Sequence, residues 1–411
     1  MLEDKYFQME RQGGLGYAAV IVAGSILIAP YVQPAWLMSL IVILSAVVLW
    51  RFFNTKYLSY SFCVIAVLYG VTLLPLFVFS CTLAMLVLGE LVFKQGADDL
   101  NTYLYYIIST AWAGALVMAY LDQQYFLTVI FGIIAAVLLK TILLKFEDAL
   151  VIEAIGIAMT MWLIRELNYQ ADLLLVVMAV IVGFAFGFFA FRAKTADLSG
   201  LFSAALVGVI LMVFAAPHGA QWFLIMLSFF ILGSLATKYK FEYKKRIGVE
   251  QGRGGARGYR NVFSNGIVAA AAAVLFGVFQ QPVFIVMYVG SVATAAADTL
   301  ASEIGVTGGI PYMITTLKKV PVGTNGGVTM RGEAVAFLGG LIISLVALVL
   351  NVITLQMVVI CTLAGFIGTN IDSLVGATLE NQGFFGNAGT NLLATIGGGL
   401  CAVVLFLSIH F

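Results

Sequence analysis

Residues 171–192 read ADLLLVVMAVIVGFAFGFFAFR: one acid, Asp172, then nineteen residues without a charge, then Arg192. A helix crossing a hydrocarbon layer about 30 Å thick needs roughly 20 apolar residues, so this stretch reads as one complete crossing. The pattern recurs along the chain in both directions. Cutting at charges, prolines and polar clusters gives further spans near 15–33, 35–53, 58–75, 79–94, 102–120, 124–145, 148–165, 198–216, 219–239, 262–279, 283–301, 333–353, 355–378 and 389–410. The expected fold is all-α, a polytopic transmembrane helical bundle of about 13–15 helices.

The 411-residue composition agrees, with 62% hydrophobic and 10% charged residues and a mean hydropathy of +1.06. No water-soluble domain is this apolar. A net charge of +1 excludes a protein that holds nucleic acid by bulk electrostatics. Met1 to Gly14 carries acids as well as bases and lacks a small-residue cleavage site, so no removable signal peptide is expected there. The four cysteines, Cys63, Cys81, Cys361 and Cys401, lie in apolar stretches without metal-ligand spacing.

Charge fixes the expected sidedness, because short cytosolic loops keep the excess of Lys and Arg. Lys238 to Arg260 holds eight bases against two acids and is placed in the cytosol. Counting helices from it puts Arg51 with Lys56, Lys94, Lys140 with Lys145, Arg192 with Lys194, and Lys318 with Lys319 on the same side, and the N-terminus inside. Residues 1–170 hold no nameable motif and read as an N-terminal transmembrane extension of unknown role. Glu90, Asp148 and Glu153 lie there near expected helix ends, where each can reach water.

From Asp197 onward polar residues gather in four blocks at cytosolic helix ends. Asp197-Leu198-Ser199-Gly200 opens a helix, where simple capping explains the Asp as well as function does. Residues 252–266, GRGGARGYRNVFSNG, combine glycines that admit an anion to the backbone with the forked donors of Arg253 and Arg257, and lead to Asn265. Contact with lipid headgroups would use the same residues. The third block runs Ala297-Asp298-Thr299-Leu300-Ala301-Ser302-Glu303-Ile304-Gly305 and on through Lys318-Lys319 to Gly323-Thr324-Asn325-Gly326-Gly327. Asp298 and Ser302, four apart, share a helix face with Thr294, and Mg²⁺ is the natural partner for their oxygens. The glycine turn after two lysines is suited to wrapping phosphate, although it lacks the P-loop order. The fourth block, Gly368 to Glu380, puts Asp372 about two turns inside a helix end, with Asn391 beyond it. Asp298, Glu303 and Asp372 are the candidate metal ligands, and Lys318 joins Asp298 and Asp372 as a candidate catalytic residue.

Together these blocks resemble the transmembrane protein 19-like family, whose plant members include the phytyl-phosphate kinase of vitamin E synthesis. The matching text is Gly-Ser-Leu-Ala-Thr-Lys-Tyr-Lys at 233–240, Gly-Gly-Ala-Arg-Gly to Asn-Gly at 254–266, Ala-Asp-Thr to Ser-Glu-Ile-Gly at 297–305, Val-Pro-Val-Gly-Thr-Asn-Gly-Gly at 320–327 and Asp-Ser-Leu-Val-Gly-Ala-Thr at 372–378. The resemblance covers residues 171–411, which it implies are the catalytic core. More distantly, the third block is similar to the signature of CTP-using membrane enzymes such as dolichol kinase and CDP-diacylglycerol synthase. By that resemblance Asp298 holds Mg²⁺, Lys318 or Lys319 contacts phosphate, and Gly323 to Gly327 wraps the nucleotide.

Two histidines, His218 and His410, both away from the blocks, argue against a His-dependent hydrolase. A kinase whose acceptor is already a phosphate monoester needs no strong base. With the resemblance, the expected activity is transfer from CTP or another NTP, with Mg²⁺, to a prenyl monophosphate such as phytyl or geranylgeranyl phosphate, in the cell membrane with the site facing the cytosol. A lipid-phosphate cytidylyltransferase would use the same parts. A secondary transporter would place its polar residues near the bilayer midplane instead.

Overall fold

The computed structural model describes residues 2–53, 55–93, 100–144, 146, 148–249 and 256–410, with the backbone alone for 2–13 and 410. Lys94, Lys145 and Arg253 fall outside the described residues. Contacts divide the chain into two compact units, Met1–Leu173 and Leu174–Phe411.

All fifteen expected spans fall on helices. In the first unit these are α1 (Leu2–Ile28), α2 (Ala35–Phe53), α3 (Lys56–Gly70), α4 (Leu76–Val92), α5 (Leu100–Leu121), α6 (Phe126–Leu143) and α7 (Ala149–Glu166). The second holds α8 (Leu173–Arg192), α9 (Leu198–Phe214), α10 (Gly219–Lys238), a short α11 (Phe241–Arg246), α12 (Tyr259–Phe279), α13 (Pro282–Gly305), α14 (Met330–Val349), α15 (Leu355–Val375) and α16 (Asn387–His410). Among the described residues, eleven helices are long and apolar enough to cross a membrane, and α4 and α9 are apolar but shorter. Boundaries follow local chemistry. Gln280 closes α12 in the left-handed conformation, and Pro282, whose fixed φ suits a first turn, opens α13.

In the first unit α4 is buried along nearly its whole length and packs on α5 and α7. The sequence reading expected Glu90 of α4 and Glu153 of α7 to reach water, but both are buried. Both carboxylates pair with the buried Lys140 of α6, the Glu153 contact at 3.0 Å, and Glu153 also accepts from Tyr106 of α5. Lys140 is thus a bundle residue and not a loop charge. Asp148 is exposed, as expected.

The hub of the second unit is α13, against which α14, α15, α16, α12 and α10 all pack. Its run Ala293–Ala297 is fully buried and lets neighbouring backbones come close. A side chain on Gly365 of α15, for example, would sit 3.0 Å from the Ala293 backbone. Between α13 and α14 the chain makes a two-residue antiparallel ladder, β1 (Tyr312–Met313) with β2 (Gly327–Val328), the one pair of strands among the described residues. Thr329 then caps α14 by accepting from the Gly332 amide at 2.9 Å.

Candidate functional site

The C-terminal turns of α13 and α15 meet the first turn of α16, and the chemistry gathers there. Asp298 of α13 and Asp372 of α15 are electrostatic neighbours, with Thr390 of α16 beside Asp372 and its hydroxyl donating to Asn387 O at 2.9 Å. Asp372 Oδ1 is buried with no hydrogen-bond partner, as is Asn391 Oδ1 on the residue after Thr390. An orphaned buried oxygen costs on the order of 1–3 kcal/mol, so the unpartnered Asp372 Oδ1 beside a second carboxyl suits a cation. Among the described residues no group of three or more His, Cys, Asp or Glu is arranged to hold a metal. That is no obstacle for Mg²⁺, which typically takes one or two carboxylates and completes its shell with water and substrate phosphates. The two carboxyls of Asp298 and Asp372 fit it.

The glycine turn reaches the same corner. Gly323 and Gly326 take positive φ, +85° and +79°, which glycine adopts without steric cost. The turn is closed by the Gly327 amide donating to Thr324 O at 2.9 Å and by Thr324 Oγ1 donating to Pro321 O at 2.8 Å. It rests on a π-helical turn, Gly376–Glu380, that continues α15 just past Asp372. There the Gly326 Cα faces the backbone of Ala377, and Asn381 Nδ2 donates to Asn325 O at 3.4 Å. Gly323 and Asn325 remain exposed. Lys318 and Lys319 are exposed on the strand side of this loop, where the Met313 amide donates to Lys318 O at 2.9 Å. The third and fourth sequence blocks therefore meet.

Two expected members stand elsewhere. Ser302 is exposed, and its hydroxyl donates to Thr299 O of its own helix at 3.2 Å. Glu303, expected beside Asp298 as a metal ligand, faces α10 and α11 instead. Its carboxylate pairs with Lys244 and accepts from Thr237 Oγ1 at 3.2 Å. Five positions along a helix is about 140° of turn, so Asp298 and Glu303 face different neighbours. Lys244, counted by charge among the loop bases, is 1% exposed. Its ammonium also donates to Thr237 O at 2.7 Å and Ala236 O at 3.1 Å.

The first and second blocks clasp each other. The Asp197 amide donates to Arg257 O at 3.1 Å and the Arg257 amide to Thr195 O at 2.9 Å. Asp197 Oδ1 accepts from the Gly200 amide and from Ser199 Oγ, and the Tyr259 amide donates to Ser199 Oγ at 3.1 Å. A side chain on Gly200 would strike Arg257 O. The cap and the clasp are thus the same device. Burial pulls the Arg257 guanidinium below its ordinary value, and the negative charge of Glu303 opposes that shift. Asn265, one turn into α12, is buried and donates to Asn261 O at 2.9 Å.

Sequence reasoning missed Thr390 and Lys244. Thr390 precedes Asn391 at a helix start, a polar signal that was present in the sequence. Nothing in Lys244 marks it as buried among its charged neighbours.

Residues 181–399, more than half of the chain, match the family described as integral membrane protein DUF92. The chain belongs to that family. The chain is similar to the uncharacterized membrane protein MJ0933 of Methanocaldococcus jannaschii, 33% identical over 52% of this chain and 87% of that protein. Two Arabidopsis thaliana proteins are each 30% identical: Protein PGR over 51% of this chain and 80% of its own length, and Protein VTE6, chloroplastic, over 52% and 65%. No solved structure matches the chain. The DUF92 match falls within the second compact unit, so the acid pair, the glycine turn and the Asp197 clasp all lie inside it.

Proposed function

We propose that this DUF92 protein is a membrane phosphotransferase that converts a prenyl monophosphate to its diphosphate with CTP or another nucleoside triphosphate. The observation that carries this reading is the meeting of Asp298 and Asp372, with an orphaned oxygen on Asp372, against a loop that bears the Gly323–Gly327 turn and two exposed lysines. The resemblance of these motifs to the phytyl-phosphate kinase group supports it, as does the similarity to VTE6.

Asp298 and Asp372 would hold Mg²⁺, which when bound supplies positive charge to the phosphate oxygens. Lys318 and Lys319, free of the ion pairs that occupy Lys140 and Lys244, neutralise the transferring group from the solvent side. The exposed Gly323–Asn325 stretch lets phosphate approach the backbone. An oxygen of the prenyl phosphate attacks the terminal phosphorus. A new P–O bond forms, and the bond to the departing nucleoside diphosphate breaks. The attacking oxygen is already anionic near neutral pH, so positioning and charge suffice. The basic segment Lys238–Arg260 follows α10 and supports a cytosolic location for this end of the unit.

The test is purified protein in nanodiscs with Mg²⁺, geranylgeranyl monophosphate and each nucleoside triphosphate in turn. Appearance of geranylgeranyl diphosphate supports the proposal. Pyrophosphate release with a nucleotide-linked lipid would replace it by a cytidylyltransferase, and no nucleotide consumption would remove both.

A further inference from the structure

Helices α8, α9, α10 and α12 enclose a pocket apart from the acid pair, and its lining is divided in character. Phe186, Val207, Phe223 and Leu227 make an apolar wall, while Arg257 and Asn261 stand at one end. The Arg257 guanidinium lies over the rings of Phe229 and Phe230, 5.4 Å and 5.6 Å from their centroids. It fills the space left by Gly233, where any side chain would collide with its Nη2. The same missing side chain would touch Thr299, the residue after Asp298, so the guanidinium lies close to the part of α13 that carries the acid pair.

Arg257 forms no ion pair among the described residues. Glu303 contributes charge from a distance, but its carboxylate is occupied by Lys244 and Thr237. Arg257 is half-buried, and ring faces offer its cation only of the order of 0.5–2 kcal/mol. A guanidinium fork matches phosphate oxygens, so an anion delivered by a ligand is its fitting partner. The rest of the wall offers only hydrocarbon and aromatic surface to whatever carries the phosphate.

The geometry points to this pocket as the acceptor site, with Arg257 gripping the phosphate of a prenyl monophosphate and only the head-proximal part of its tail lying along Phe186, Val207, Phe223 and Leu227. This rests on the phosphotransferase reading for the identity of the tail. Gly233 is then a specificity position, because its lack of a side chain lets the guanidinium stand at the α13 end of the pocket. Asp197 and Ser199 are positioning residues, since they hold the backbone of Arg257 and Tyr259 and touch no ligand.

The test is equilibrium binding of radiolabelled geranylgeranyl monophosphate, without nucleotide, to the full chain in phosphatidylcholine nanodiscs. Arg257→Gln is expected to weaken monophosphate binding at least tenfold and to leave geranylgeraniol binding unchanged. Arg257→Lys should recover part of the loss. Leu227→Trp, which fills the apolar end, should weaken both ligands. Unchanged monophosphate affinity in Leu227→Trp, or in an Arg257→Gln protein that elutes as wild type, overturns the assignment. So does phosphatidic acid competing as well as the prenyl phosphate. Binding that follows this pattern in a protein unable to transfer phosphate would sink the kinase reading alone. Transfer with an unaltered acceptor KM in Arg257→Gln would sink the pocket alone.

Discussion

The place where a side chain on Gly326 would stand is filled by Ala377, whose Cβ would lie 2.4 Å and whose backbone N 2.6 Å from it. Through this contact the loop after α13 is seated on the π-helical turn that follows Asp372, so one glycine ties the proposed nucleotide turn to the acid pair.

Gly326→Ala therefore combines a left-handed φ with a backbone collision. Roughly 1–3 kcal/mol is the expected scale for such local strain. Gly383 is the control, with the same φ of +79° and no atom within 4 Å of the added carbon. Thermal unfolding in detergent should show a clear loss for Gly326→Ala and a smaller one for Gly383→Ala. Nucleotide KM should rise only in the former. Equal melting points in the two variants would show that the seating contributes nothing.

Asp298→Asn and Asp372→Asn should each abolish transfer and leave the fold intact. Two adjacent carboxylates repel, so neutralising one costs little stability and can add some. Mg²⁺ should raise the melting temperature of the wild type and not of either variant, since only a bound ligand stabilises by mass action. A variant that kept both activity and the Mg²⁺ response would take its residue out of the site.

Lys318→Ala is expected to lower kcat, because a phosphate-neutralising charge matters most where charge moves in the transition state. Its side chain is exposed, so stability should stay within about 0.5 kcal/mol of wild type. Steady-state kinetics at saturating acceptor, run beside Lys319→Ala, would tell which lysine acts. Unchanged kcat in both would remove the charge role.

In the first unit Lys140→Met should destabilise by about 3–5 kcal/mol, because Glu90 and Glu153 would be left buried without a counter-charge. Adding Glu90→Gln and Glu153→Gln should restore much of the loss. Chemical unfolding of the single and triple variants is the measurement. A single variant as stable as wild type would mean that the cluster is not energetically coupled.

Hydropathy made the helices legible, since every expected span lies on one, and the four polar blocks did contain Asp298, Asp372 and the glycine turn. What the sequence could not supply was the neighbour of each polar group. Glu303 follows Asp298 by five residues yet turns to Lys244, and Ser302 shares the azimuth of Asp298 but is exposed one turn further on. Periodicity gives the direction a side chain leaves its helix, not what waits there. Charge counting failed for the same reason at Lys140 and Lys244, two bases that look like loop charges in the sequence and are spent inside the bundle. The Asp197 clasp was half legible, as a cap whose second partner lies sixty residues away.

The Glu90–Lys140 contact also sets an order of events during synthesis. Glu90 leaves the ribosome fifty residues before the base that neutralises it, and α4 offers no counter-charge of its own. Glu90 lies in the last turn of α4, at an end where a carboxylate can wait in water while the chain is being made. Its burial against Lys140 therefore follows the translation of α6 and cannot precede it. The helix α4 thus takes its final place in the first unit only when a partner made fifty residues later has arrived.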